Sequence, residues 1–497
     1  MTATDHDGGV TAAAAADHDV LESGDAGHRF LRGVSIRSLS YMFGLLLGAT
    51  ATPFVTRHLG SVNWGRYVTV TSLLFIAVAL TEGGLSNLGI REFSTEGRTE
   101  RREYMRSLIG LRLVLSCVGA AGALGFALLA GYRTVMVEGT AIACTGLFLT
   151  NLQATLAVVL TARLRLGWLA VTDFLAQAIT AFVMLALVID GQSLLPFYAA
   201  TSVAAVVTLA VTVTLVRNDV TLTPAFDPRR WRNLVSESVV YAAATALGVV
   251  YFQVVVIAVN LLTTPVQSGY FGLGFRVLSI VNGLPWLLVT GAFPILARAA
   301  QGDAARLRYA LQRLFETGLI VGGTMGLGLV LGAPVIVTIV GGSQYAGSVT
   351  ALRILGAGIP ATFLVATWAF ALLSLSRYRQ LIVVNGLAVL TAVGLCLALI
   401  PAHGAEGAAI VTASLEVALA CGYGVTLVRS RPELRPALTL VPRTVLTFAV
   451  AIAVGVLLPV SSLVATVSAL VVELVLLKVL GLIPAEVIAA LTRRTSS

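Results

Sequence analysis

The feature that most constrains this chain is a run-and-break rhythm of hydropathy. Fourteen apolar runs of about twenty residues, near 34–56, 67–90, 107–130, 134–161, 168–189, 194–216, 234–260, 267–297, 314–340, 349–375, 380–400, 405–428, 440–458 and 462–483, alternate with short polar breaks. A helix of about 20 apolar residues spans a bilayer core. Of the 497 residues, 57% are hydrophobic and only 11% charged, against roughly a quarter charged in soluble domains. Lipid is therefore the solvent for most of this surface.

The basic residues orient the runs. With the N-terminus in the cytoplasm, 26 of the 33 Lys and Arg fall in inside segments, and only Arg57, Arg66 and Arg133 fall outside. Arg112, Arg276, Arg353 and Lys478 lie within runs. The positive-inside rule makes both termini cytoplasmic in a multi-pass plasma-membrane protein. The net charge of +9 is spread over run ends rather than gathered in a stripe, so lipid head groups explain it and nucleic acid does not.

Residues 1–30 form an acidic, low-complexity segment expected to be a disordered cytoplasmic tail. Its two Asp-His-Asp triplets, at 5–7 and 17–19, fit no standard metal site, and His28 adds none. The four cysteines sit in apolar runs with no Cys-x-x-Cys spacing. No metal or other cofactor is expected. Lys478 is the only lysine, which excludes a P-loop ATPase. His-Glu-x-x-His and Gly-x-Ser-x-Gly are absent. The inter-run segments are too short for a catalytic domain, so the chain is not expected to be an enzyme.

A polar knot, "RHLGSVNWGRYVTV" at 57–70, has a counterpart in "NLLTTPVQSGYFGLGFRVLSIVNGLP" at 260–285. Each reads as a tight turn followed by an interfacial Tyr and a run carrying polar residues. Six runs separate the copies. An even spacing preserves orientation and implies a parallel repeat about an axis along the membrane normal. The expected division is an N-lobe over 31–218, a C-lobe over 219–430, an extra helix pair over 431–485 and a tail over 486–497.

The stretches "RHLGSVNWGRYVTVTSLLFIAVALTEGGLSNLGIREFS", "SGYFGLGFRVLSIVNGLPWLLVTGAFPILARAA" and "YAGSVTALRILGAGIPATFLVATWAFALLSLSRYR", with "LALIPAHGAEGAAIVTASLEV", resemble the polysaccharide-biosynthesis, Wzx-type flippases. These belong to the multidrug/oligosaccharidyl-lipid/polysaccharide exporter superfamily. The resemblance covers roughly residues 30–430. It implies an all-α membrane protein of MATE-like architecture with two six-helix lobes around a cationic cavity. The implied cargo is a polyprenyl-pyrophosphate-linked oligosaccharide, moved from the cytoplasmic to the outer leaflet. The implied partners are membrane lipids and a polysaccharide polymerase or glycosyltransferases. The competing reading is a cation-coupled multidrug antiporter on the same scaffold.

Charges inside a bilayer cost about 2.5–3.5 kcal/mol each on insertion scales, so each needs a reason. Arg276 lies about nine residues into its run, roughly 14 Å from the surface. It either grips a pyrophosphate through its planar fork or closes an internal salt bridge. Arg37, Arg57, Arg66, Arg112 and Arg353 stand near run ends, as further cationic cavity candidates or as snorkelling side chains. Glu82, Glu416 and Glu473 are ion-coupling candidates, with Glu82 alternatively paired to Arg112. Asn151, Gln153, Asp173, Gln177, Gln253, Asn282 and Asn385 are candidates for a polar cavity wall, and interhelical hydrogen bonds would need the same residue types.

Overall fold

The computed structural model describes residues 26–95, 98–300 and 303–482. The expected tails, up to residue 25 and over 486–497, lie outside them. The described residues are helical throughout, apart from short turns, and contain no strand. The helices are α1 (Ala26–Glu82), α2 (Leu85–Thr95), α3 (Arg98–Leu129), α4 (Thr134–Ala162), α5 (Leu166–Ile189), α6 (Leu194–Val216), α7 (Pro228–Leu262), α8 (Pro265–Val281), α9 (Gly283–Ala299), α10 (Ala304–Val340), α11 (Ser348–Ser374), α12 (Tyr378–Ser430), α13 (Val441–Leu457) and α14 (Ser462–Val479).

Ten described helices are long and apolar enough to cross a membrane, and the chain is a multi-pass membrane protein. Two of the helices are double-length. α1 bends at Gly60 (φ 71°, ψ 169°) and α12 at Gly404 (φ 54°, ψ −127°). Each therefore holds two of the expected runs. Only glycine takes such angles without cost, so one residue reverses the chain where a tight turn of several residues was expected. The run expected at 267–297 is instead two helices, α8 and α9, meeting at Asn282. The run expected at 67–90 is interrupted by Gly83 and Gly84, between α1 and α2.

Local chemistry explains the helix ends. Asp227, Thr264 and Asp303 accept from backbone amides at the starts of α7, α8 and α10, and Pro228 and Pro265 occupy first-turn positions. Acceptor caps and a proline lacking its N–H both suit a helix N-terminus. Within the spans, threonine hydroxyls bond back one turn. Thr69 donates to the Gly65 carbonyl at 2.8 Å and Thr208 to that of Ala204 at 3.0 Å. The hydroxyl is thereby satisfied without a partner from water.

α1 packs on α5, α4 and α3, and α4 on α6; α7 and α11 pack on α12, and α10 on α11. α1 also runs along α7 and α8, so it forms the seam between the two groups. At the Gly60 end the seam is shut. A Cβ on Gly65 would stand 2.7 Å from the Gly269 nitrogen, and one on Gly269 only 2.0 Å from the Ser61 oxygen. Arg57 Nη2 donates to the carbonyls of Thr338 (2.9 Å) and Ile339 (2.7 Å), capping the end of α10. Tyr345 Oη donates to the Thr56 carbonyl at 3.0 Å. At the opposite end Asn87 Nδ2 donates to Tyr241 Oη at 2.9 Å. α13 and α14 dock on α10, where the Phe448 ring fills the place of a Cβ on Gly323.

Replacing Gly269 by Val forces backbone apart at the seam. We expect a loss of about 1–3 kcal/mol of stability, read as a lower Tm in detergent. Gly386→Val, where a Cβ meets nothing within 4 Å, should leave Tm unchanged. Equal melting of the two variants would contradict this packing.

Candidate substrate cavity

A cavity of about 540 Å³ lies beneath the Gly60 seam, walled by α1, α4, α5, α6, α7 and α8. Its body is apolar and aromatic, with Trp64, Tyr67, Phe75, Phe252 and Phe275. Hydroxyls are set into it at Thr52, Thr71, Ser72, Thr150, Thr180 and Ser279. Trp64 stacks on Tyr67 with ring centroids 5.5 Å apart.

Among the described residues, Arg276 is the only basic one in the lining. It stands on α8 shortly before the helix breaks at Asn282. Its Nε donates to Thr52 Oγ1 at a long 3.4 Å, and it forms no ion pair among the described residues. The guanidinium lies against Gly48, whose Cβ, if present, would sit 3.6 Å from Nη2. Gln253 and Asn282 also line the cavity, and each has a buried side-chain oxygen with no hydrogen-bond partner, as does the buried indole nitrogen of Trp64. Buried polar atoms are nearly always paired. One cation, two unpartnered acceptors and one unpartnered donor thus border a single space. Such a set suits a ligand with an anionic group and several hydroxyls.

The other expected cationic residues are elsewhere. Arg37 Nε contacts Asp173 Oδ2 at 3.1 Å, so the Asp173 carboxylate, which lines the cavity, is already paired. Arg57 caps α10. Arg66 Nη1 donates to Asn63 Oδ1 at 3.0 Å, and Arg353 is exposed on α11. Arg112 is not at the cavity but is held wholly inside the α1–α4 packing. It donates to Glu82 Oε2 (2.6 Å), the Thr81 carbonyl (2.9 Å), Thr155 Oγ1 (3.0 Å) and Ser86 Oγ (3.1 Å). The expectation of a cavity lined by six arginines is corrected to one. Side chains on helix faces turned to neighbours found partners there.

Of the uncharged candidates, Gln153, Gln177, Gln253 and Asn282 line the cavity. Asn151 and Asn385 do not. Asn151 Nδ2 bridges Thr81 Oγ1 (3.0 Å) and Ser116 Oγ (2.9 Å). Asn385 donates to the Ala244 carbonyl at 2.9 Å and accepts from Tyr423. The ion-coupling candidates are also off the cavity. Glu82 holds Arg112. Glu473 is fully buried on α14 and accepts from Thr324 Oγ1 at 2.6 Å. Glu416 is buried on α12, where Tyr251 Oη donates to it at 3.4 Å. The hydroxyl lining was not singled out from sequence. Thr and Ser occur on every span and many bond back to their own helix, so no pattern marks those that face the cavity.

The family described as Polysaccharide biosynthesis protein matches residues 30–300. The chain belongs to that family. No curated protein matches it by sequence. Among solved structures, the lipid II flippase MurJ in an inward closed conformation superposes with a TM-score of 0.72 at 13% identity, over 89% of this chain and 98% of that one. An inward-facing MATE-family multidrug resistance transporter gives 0.65 at 14%, over 80% and 98%. The eukaryotic MATE transporter AtDTX14 gives 0.56 at 15%, over 82% and 99%. At these identities the likeness is one of fold. This polysaccharide biosynthesis protein thus shares its fold with a lipid II flippase and with multidrug transporters.

Removing Arg112 would leave Glu82 unpaired within the helix packing. Breaking such a pair costs about 3–5 kcal/mol. We place Arg112→Ala near the lower end because Glu82 is partly exposed, and expect a lower Tm and lower yield than for Arg353→Ala, which should match wild type. Comparable Tm for the two variants would contradict the assignment.

Proposed function

We propose that this protein flips a polyprenyl-pyrophosphate-linked oligosaccharide from the cytoplasmic to the outer leaflet of the plasma membrane. The observation that supports the reading is the guanidinium of Arg276, which forms no ion pair among the described residues and borders the same cavity as the unpartnered oxygens of Gln253 and Asn282. A guanidinium binds phosphate oxygens through a fork of donors. The open acceptors suit sugar hydroxyls, which donate. The membership in a polysaccharide biosynthesis family and the MurJ-like fold support the same cargo class.

Transport would proceed by alternating access of two bundles, 31–218 and 219–430, with 431–485 as a further helix pair. The seam at Gly65 and Gly269 would open toward the outer leaflet. The arginine distribution supports cytoplasmic termini and an outward-facing Gly60 end. A polysaccharide polymerase or glycosyltransferases would consume or supply the cargo. The antiporter reading finds less support, since cationic drugs need a free carboxylate and Asp173 is paired with Arg37.

The test is a leaflet assay in proteoliposomes with a lipid-linked oligosaccharide accessible to an impermeant enzyme. Arg276→Gln should cut the initial rate at least tenfold, with Tm unchanged and partial rescue by Arg276→Lys. An unaltered rate in Arg276→Gln would overturn the reading.

Glu416 is the ion-coupling carboxylate in this reading, because it is buried beside Tyr251 and forms no ion pair among the described residues. Glu416→Gln should abolish the acceleration produced by an imposed proton or sodium gradient while sparing cargo binding. An accelerated Glu416→Gln would remove Glu416 from that role.

A further inference from the structure

A second hollow, of about 460 Å³, shares no lining residue with the central cavity. It lies where the end of α12 meets α10, α11 and the linker to α13. Its wall is apolar, with Phe315, Trp368, Val425 and Leu438, and two arginines, Arg429 and Arg435, complete it. The linker that roofs it is pinned. Gln312 Nε2 donates to the Ala437 carbonyl at 3.1 Å, and the Ala437 amide donates to Gln312 Oε1 at 2.8 Å. Trp368 stacks on Phe315 with centroids 5.7 Å apart. Its indole nitrogen is next to Gly424, 3.5 Å from where a Cβ would stand. Neighbouring Arg431 is neutralised by Glu433 at 3.2 Å. Among the described residues, no carboxylate lies within ion-pair distance of Arg429 or Arg435.

We propose that this hollow binds one anionic glycerophospholipid, independently of the transported cargo. An acyl chain lies along Phe315 and Trp368, and the phosphate sits beside Arg429 and Arg435. The charge complementarity selects the head group, and the apolar wall selects a lipid over a free anion. By the arginine distribution the site opens to the cytoplasmic leaflet, where anionic lipids attract basic residues.

Trp368 provides the readout. The full-length protein is placed in nanodiscs of phosphatidylcholine doped with brominated phosphatidylglycerol or, at equal fraction, brominated phosphatidylcholine. The phosphatidylglycerol should quench tryptophan fluorescence more strongly. That excess should vanish in Trp368→Phe, which keeps the wall but removes the reporter. In Arg429→Gln/Arg435→Gln the apparent affinity should fall roughly fivefold per arginine. Gly424→Val should reduce the excess by filling the hollow without changing charge. Equal quenching by the two lipids, an excess that survives in Trp368→Phe or in the double variant, or displacement of the quencher by inorganic phosphate would each overturn the proposal.

Discussion

In hydrocarbon no water completes a hydrogen bond, so each polar group must find its partner inside the protein. The rest of this structure follows from that constraint. It makes the described chain helical. It sends threonine hydroxyls back to their own helices, and it gathers Arg112, Glu82, Thr81, Ser86 and Thr155 into one closed cluster. Among the groups that protein satisfies incompletely, Arg276, Gln253 and Asn282 border the same cavity.

The breaks in the helices place those exceptions. α8 stops at Asn282 and α9 begins beside it, which holds Arg276 shortly before an interruption rather than in mid-rod. α1 reverses at Gly60 and so lends both its arms to the cavity wall, Thr52 from one and Tyr67 and Thr71 from the other. The same reversal brings Gly65 against Gly269 and Arg57 against the end of α10, sealing that end. Site and seal therefore share one glycine bend.

Charge in this molecule has three fates. Arg112 and Glu82 serve internal cohesion, Arg57 serves as a helix cap, and Arg276 faces open space. The residue type is the same in each case and the burial is not. Which fate an arginine meets depends on whether a carboxylate or a helix end lies within its reach, a property of neighbours far apart in the chain. Glu82 and Arg112 are 30 residues apart, and Arg57 and Thr338 are 281 apart.

The sequence by itself determined the membrane class, the positions of most helices and the special standing of Arg276, because hydropathy over some twenty residues and a charge deep within such a run are local properties. It also put Glu82 beside Arg112 as one of two readings. Only the tertiary structure decided that Arg37, Arg57, Arg66, Arg112 and Arg353 leave the cavity lining, that Asn151 and Asn385 tie helices together, and that a row of hydroxyls faces the cavity. Those outcomes turn on which face of each helix meets which neighbour. In a span that is apolar on all sides, no periodicity in the sequence marks that face.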